Sequence, residues 1–90
     1  MAVKCGKVNV SGVVASGCSV LGVHVKAGTS DGTVDIKQVD ANGSADIELE
    51  VTANGGDQYI PIPGGGIPYG ANCYVDIANI DAVTVFYEDY

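Results

Sequence analysis

The sequence has no arginine, no tryptophan, a single phenylalanine, Phe86, and a single histidine, His24. Positive charge rests on Lys4, Lys7, Lys26 and Lys37 alone, against 11 Asp and Glu, for a formal net charge of -7. Neutralising nucleic-acid phosphates takes clustered Lys or Arg, so four scattered lysines exclude that class of partner. An anionic membrane surface is disfavoured for the same reason. Three cysteines, Cys5, Cys18 and Cys73, are too few and too widely spaced for a disulfide framework. At most one bridge could form, and folding in a reducing compartment is the simpler reading. No apolar run approaches the roughly 18 residues of a membrane span. Met1 to Lys7 lacks the apolar centre of a signal peptide, so the chain reads as soluble and not exported by the general pathway.

What remains is a chain of 90 residues, 47% of them hydrophobic and mostly Val, Ile and Ala. That length allows one domain, with no linker or repeat array. Surface scaling leaves about 4,900 Å² exposed of roughly 13,000 Å² in the open chain, so about 63% is buried. With so few large side chains the core is thin, and association with copies or a partner would help it.

The apolar residues alternate with polar ones over short runs, the period-two pattern of half-buried strands. Ala45 to Thr52 is the clearest, with Ala45, Ile47, Leu49 and Val51 on one face and Asp46, Glu48, Glu50 and Thr52 on the other. Ala71 to Ile80 sets Ala71, Cys73, Val75 and Ile77 against Asn72, Tyr74 and Asp76. Ala82 to Tyr87 is apolar on both faces, which predicts a central strand or one covered at an interface. Lys7 to Val14, Ser19 to Ala27 and Thr33 to Val39 complete the strand-length runs. Ser16-Gly17, Gly28 to Gly32, Asn42-Gly43, Asn54 to Gly56 and Gly64 to Gly66 carry turn chemistry. Asn42-Gly43 is the best tight-hairpin signal among them. Pro61 and Pro63 remove ladder donors, so Tyr59 to Gly66 is an edge strand or an extended arm. The expected fold is all-β, a single small antiparallel β-sandwich or Greek-key barrel of about seven strands, with residues 1–7 as an extended arm.

The reactive residues offer little chemistry. In a continuous strand Cys18 and His24 share a face but lie six residues, about 20 Å, apart, beyond the reach of a nucleophile and its base. Cys5 and Cys73 reach His24 only through tertiary contacts, and no strand-to-helix elbow presents a serine. Cys5, Cys18, Cys73 and His24 lack the paired spacing of a zinc site. The acidic turns at Asp31-Gly32 and Asp40 to Gly43 lack the regular calcium series and its distal Glu. Carboxylate pairs of the glycosidase type are nonspecific in so acidic a chain. Gly64 to Gly66 lacks the Lys-Ser/Thr of a phosphate loop and a helix to follow it. Asn9-Val10-Ser11 and Asn42-Gly43-Ser44 match the glycosylation pattern by chance in a chain without an export signal. Five tyrosines are explained more cheaply by packing than by a sugar platform. Asp46, Glu48 and Glu50 form a carboxylate row about 6.6 Å apart, a solvated face that blunts edge pairing or meets a basic partner. These residues indicate no enzyme and no cofactor.

Tyr59-Ile-Pro-Ile-Pro-Gly-Gly-Gly-Ile67, the strand ending near Asn79, and Asp81-Ala-Val-Thr-Val-Phe-Tyr87 resemble the small all-β virion proteins of tailed bacteriophages. Val23 to Ile36 is similar to their middle hairpin. The resemblance implies a structural role in the virion, assembled in the host cytoplasm, as a capsid decoration or cement protein. A neck, tail or head-fibre component is the near variant. The implied partners are the major capsid protein or other virion proteins, and further copies of the chain. The partner-binding residues are expected in Tyr59, Ile60, Pro61, Ile62, Pro63, Gly64, Gly65, Gly66, Ile67 and Pro68, a proline-stiffened stretch, and in Ala2, Val3 and Lys4. Deleting Gly64 to Gly66 is expected to spare the isolated fold. The competing class is a free carbohydrate-binding or adhesin-like β-module, calcium-dependent in one version, with Asp31, Asp40, Asn54, Asp57 and Tyr69 around a ligand.

Overall fold

The computed structural model describes residues 3–89. Alternating side chains make seven strands: β1 (Lys4–Val8), β2 (Gly12–Ala27), β3 (Gly32–Gln38), β4 (Ala45–Val51), β5 (Asp57–Pro61), β6 (Ile67–Ala78) and β7 (Ile80–Asp89). All pairings are antiparallel, along the path β1-β7-β2-β6-β3-β4, with β5 added on β2. The fold is therefore all-β, one connected sheet compatible with a small sandwich or barrel. Among the described residues there is no helix, and so none long and apolar enough to cross a membrane.

The 16-residue β2 is the hub. Gly12 to Val20 pairs with β6, Cys18 to Ala27 with β7, and Gly22 to Lys26 with β5, so β5 and β6 lie end to end along one edge of β2. The sheet thus has two sections, β5-β2-β7-β1 and β2-β6-β3-β4, sharing one strand. Both line one core, in which Val20, Val23, Val25, Val34, Ile36, Tyr69, Val75, Val83 and Val85 are fully buried. Each such aliphatic side chain contributes about 1.5–3 kcal/mol by leaving water. The exposed surface, 4688 Å², lies close to the scaling expectation.

Bulges let β2 serve both sections. β2 carries one extra residue between Val13 and Ala15 against β6 and one between Val20 and Gly22 against β7, while at the shift between Ser16 and Cys18, where Gly17 takes φ 58, the extra residue lies on β6. An extra residue reverses the in-out phase of everything beyond it. Cys18 and Val20 point inward before Leu21, whereas Val23 and Val25 do so after it.

Several boundaries differ from the sequence expectation. Ser16-Gly17 lies inside β2, at a register shift against β6, and is not a turn. The run Lys7 to Val14 is two strands, with the chain turning at residues 9–11, where Ser11 Oγ accepts the Ile77 amide at 2.9 Å. Asn42-Gly43 lies in a six-residue connection, closed by the Gln38 amide on the Ser44 carbonyl at 2.9 Å, and is no two-residue hairpin. The reversal between β6 and β7 turns on Asn79 alone, at φ 58. Lys4 to Lys7, expected within an arm, belong to β1 and pair with β7; Met1 and Ala2 lie outside the described residues. β7 is central, between β1 and β2, as its two apolar faces require.

Candidate functional site

The section β5-β2-β7-β1 carries both segments expected to bind a partner. Tyr59, Ile60 and Pro61 end β5, whose outer edge is unpaired among the described residues, so this stretch is the edge strand that its prolines demand. Ile62 extends the pairing by donating its amide to the Leu21 carbonyl at 2.9 Å. Gly64, Gly65 and Gly66 then turn the chain into β6, all with positive φ, at 72, 85 and 93. A Cβ on Gly66 would stand 2.4 Å from the Val20 carbonyl oxygen, so Gly66 packs the turn closely against β2, while Gly64 and Gly65 have open space around them. Ile67 and Pro68 open β6 against Val20 and Ser19. Val3 is exposed, and Lys4 holds β1 to the end of β7 through an ion pair with Asp89. The structure does not bring the two segments together. They lie on opposite edges of one four-stranded section, three strand spacings or about 14 Å apart.

Between those edges the outer face is built in cross-strand rows. Cys5, Phe86, Gly22 and Pro61 form one, and Lys7, Thr84, His24 and Tyr59 the next. Tyr59 lies across Gly22, where a Cβ would meet its hydroxyl at 2.3 Å, and packs edge-on against Phe86 with ring centroids 5.8 Å apart. Tyr59 remains 53% exposed, the most prominent aromatic group on this face. Phe86 and Gly22 are the residues that sequence reasoning missed here. A glycine inside a strand is the available signal, because it marks a close approach by another group.

The outer face of β4, β3 and β6 is acidic. Glu48, Asp35 and Asp76 stand in one row across three strands, and Glu50 pairs across from Thr33. Lys37 relieves part of this repulsion. Its Nζ meets Asp76 at 2.9 Å and the Ala41 carbonyl at 3.0 Å. The hydrogen bond from Lys37 holds the Asp76 carboxyl below its usual range, with Ser11 adding to it, and the same bond raises the lysine.

Other reactive groups are dispersed. Cys18 and Cys73 are buried, while Cys5 is exposed. Burial pushes the Cys73 thiol up to about 12 and raises Cys18, so neither is a ready thiolate. His24 sits on the outer face, its Nε2 3.4 Å from Asp57. The bulge at Leu21 therefore overturns the expectation that Cys18 and His24 share a face. Among the described residues, no three His, Cys, Asp or Glu side chains stand close enough to hold a metal ion.

The five residues expected around a ligand in the free-module reading do not all gather: Asp31 and Asn54 lie together at one end, where Asn54 donates its amide to the Gly28 carbonyl, but Tyr69 and Asp40 are elsewhere. Tyr69 is fully buried, and burial raises its hydroxyl pKa. Asp40 accepts the Asn42 amide at 2.9 Å, in the connection that follows β3. Asp31 lies before the other end of β3 and accepts the Ala53 amide at 2.8 Å. A cleft of about 400 Å³ beside Asp31 is lined by Thr33, Glu50, Thr52 and Asn79. No protein-family model matches the chain, and no curated protein or solved structure is similar to it.

Proposed function

We propose that the chain is a structural protein of a tailed-phage virion, of the capsid decoration or cement type, acting through many copies and weak protein contacts. The observation that carries the reading is the junction of Tyr59 with Phe86. Two of the phrases that carry the resemblance, Tyr59 to Ile67 and Asp81 to Tyr87, meet there in the contact of exposed Tyr59 with half-buried Phe86. Supporting it are the free outer edge of β5 beside that pair and a net charge of -7, which disfavours contact with packaged DNA. Tyrosines in such positions anchor interfaces, because they bring large rigid area at low entropic cost. Repetition on a lattice then multiplies modest contacts through effective concentration.

The test is binding of the purified chain to particles that lack it. Tyr59→Ser should weaken binding at least about fivefold, the loss of one anchoring tyrosine. Tyr74→Ser, on the opposite face, should leave binding unchanged. Equal binding by wild type and the folded Tyr59→Ser protein would sink the reading of this face. The turn deletion is the poorer probe, since Gly64 to Gly66 hold β5 and β6 end to end and their removal strains the fold.

A further inference from the structure

The path β1-β7-β2-β6-β3-β4 ends in two strands that, among the described residues, each leave one edge unpaired. Such edges present a row of open amides and carbonyls and invite another strand. The two ends carry opposite charge. On β1, Lys7 points outward and has no acidic partner within ion-pair distance among the described residues, while Gly6 and Val8 point toward the core. On β4, Glu48 and Glu50 point outward, equally unpaired, and Ile47 and Leu49 pack only partly buried against the core.

From these complementary ends we infer that copies of this chain associate head to tail, β1 of one copy adding as an antiparallel strand to the free edge of β4 of the next. The register that sets Lys7 opposite Glu48 places Val8 beside Ile47, Gly6 beside Leu49 and Cys5 beside Glu50. Polar residues then meet polar ones on the outer face, and apolar residues continue the core face. Six strands lie on the path and all neighbours are antiparallel, so β4 and β1 run in opposite directions. A second copy added in the same orientation preserves the alternation. Symmetric alternatives are penalised: β4 against β4 opposes carboxylates, and β1 against β1 opposes lysines. The contact is heterologous, closing into a ring or continuing as a filament according to the rotation between copies. It stands on the two edges alone and is separate from the virion reading.

Sedimentation velocity across a concentration series, at one ionic strength, tests it with charge swaps. Wild type should associate with a dissociation constant below about 1 mM, the weak limit for a short edge contact. Lys7→Glu and Glu48→Lys should each weaken association about fivefold or more, because like charges then stand opposite. Glu48→Lys is decisive, since it makes the chain less acidic and general repulsion alone would strengthen association. The double variant Lys7→Glu/Glu48→Lys should restore it, which also controls for damage to folding. A wild-type monomer at about 1 mM, stronger association by Glu48→Lys, or no rescue by the double variant would each overturn the inference.

Discussion

Alanine at Gly66 and at Gly64 separates two costs that usually come together. Both residues have positive φ, 93 and 72, so a Cβ strains the backbone in either case. At Gly64 it would meet nothing within 4 Å, and the strain alone should cost about 1–2 kcal/mol. At Gly66 it would also lie 2.4 Å from the Val20 carbonyl oxygen and 3.0 Å from Leu21 Cδ2, at the bulge where β2 passes between its two sections. The backbone must move, at a further cost of roughly 1–3 kcal/mol, the range for overpacking. For a domain of this size each kcal/mol lowers the melting midpoint by about 4–8 °C. Gly64→Ala should therefore melt about 4–16 °C below wild type, and Gly66→Ala at least another 4 °C or so below that. Thermal unfolding followed by circular dichroism, with urea titration at 25 °C as a check, measures both. Equal losses, or a milder loss at Gly66, would refute the claim that this turn is sterically pinned against β2.

Three further outcomes are expected. In native protein one thiol, Cys5, should react promptly with a disulfide reagent, and Cys18 and Cys73 only after denaturant is added; three fast thiols would contradict their burial. Asp76 has its pKa lowered by Lys37, so its contribution is present above the unfolded carboxylate range and is lost as pH falls through the folded value. Asp76→Asn should therefore flatten part of the acid limb of the stability profile, and an unchanged limb would count against the bond. Val39, a β-branched residue at φ 76 and 46% exposed, sits in a conformation that Asn tolerates better. Val39→Asn should raise stability by about 1 kcal/mol in urea unfolding, and a loss would show that the valine makes a compensating contact.

The strands with one partner face were legible in the sequence, and the irregular ones were not. Ala45 to Thr52 follows strict alternation and its inward set matches β4, and in β6 Cys73, Val75 and Ile77 turn inward as expected, whereas Ala71, expected beside them, is exposed because the β2 pairing shifts register between Asn72 and Tyr69. β2 escaped because period-two reading assumes an unbroken phase, whereas extra residues at Val14 and Leu21 reset it. Gly17 sits within a strand, at a register shift, with the same positive φ that a turn would use, so local chemistry alone does not separate the two. The turn at residues 9–11 was hidden by Val8, Val10 and Val14, whose alternation runs across it although Val10 is 68% exposed. Of the candidate surface, the edge character of Tyr59 to Pro61 followed from proline chemistry. Its contact with Phe86 over Gly22 is tertiary, and so is the separation of the N-terminal strand from β5 by two intervening strands.

The claim that the chain is a multicopy virion component is tested most directly by quantitative mass spectrometry of purified particles from its source. The account predicts a copy number comparable to that of the major capsid protein. A ratio far below it would contradict the decoration role and move the chain to the neck, tail or fibre, and its absence from the particles would contradict the virion reading altogether.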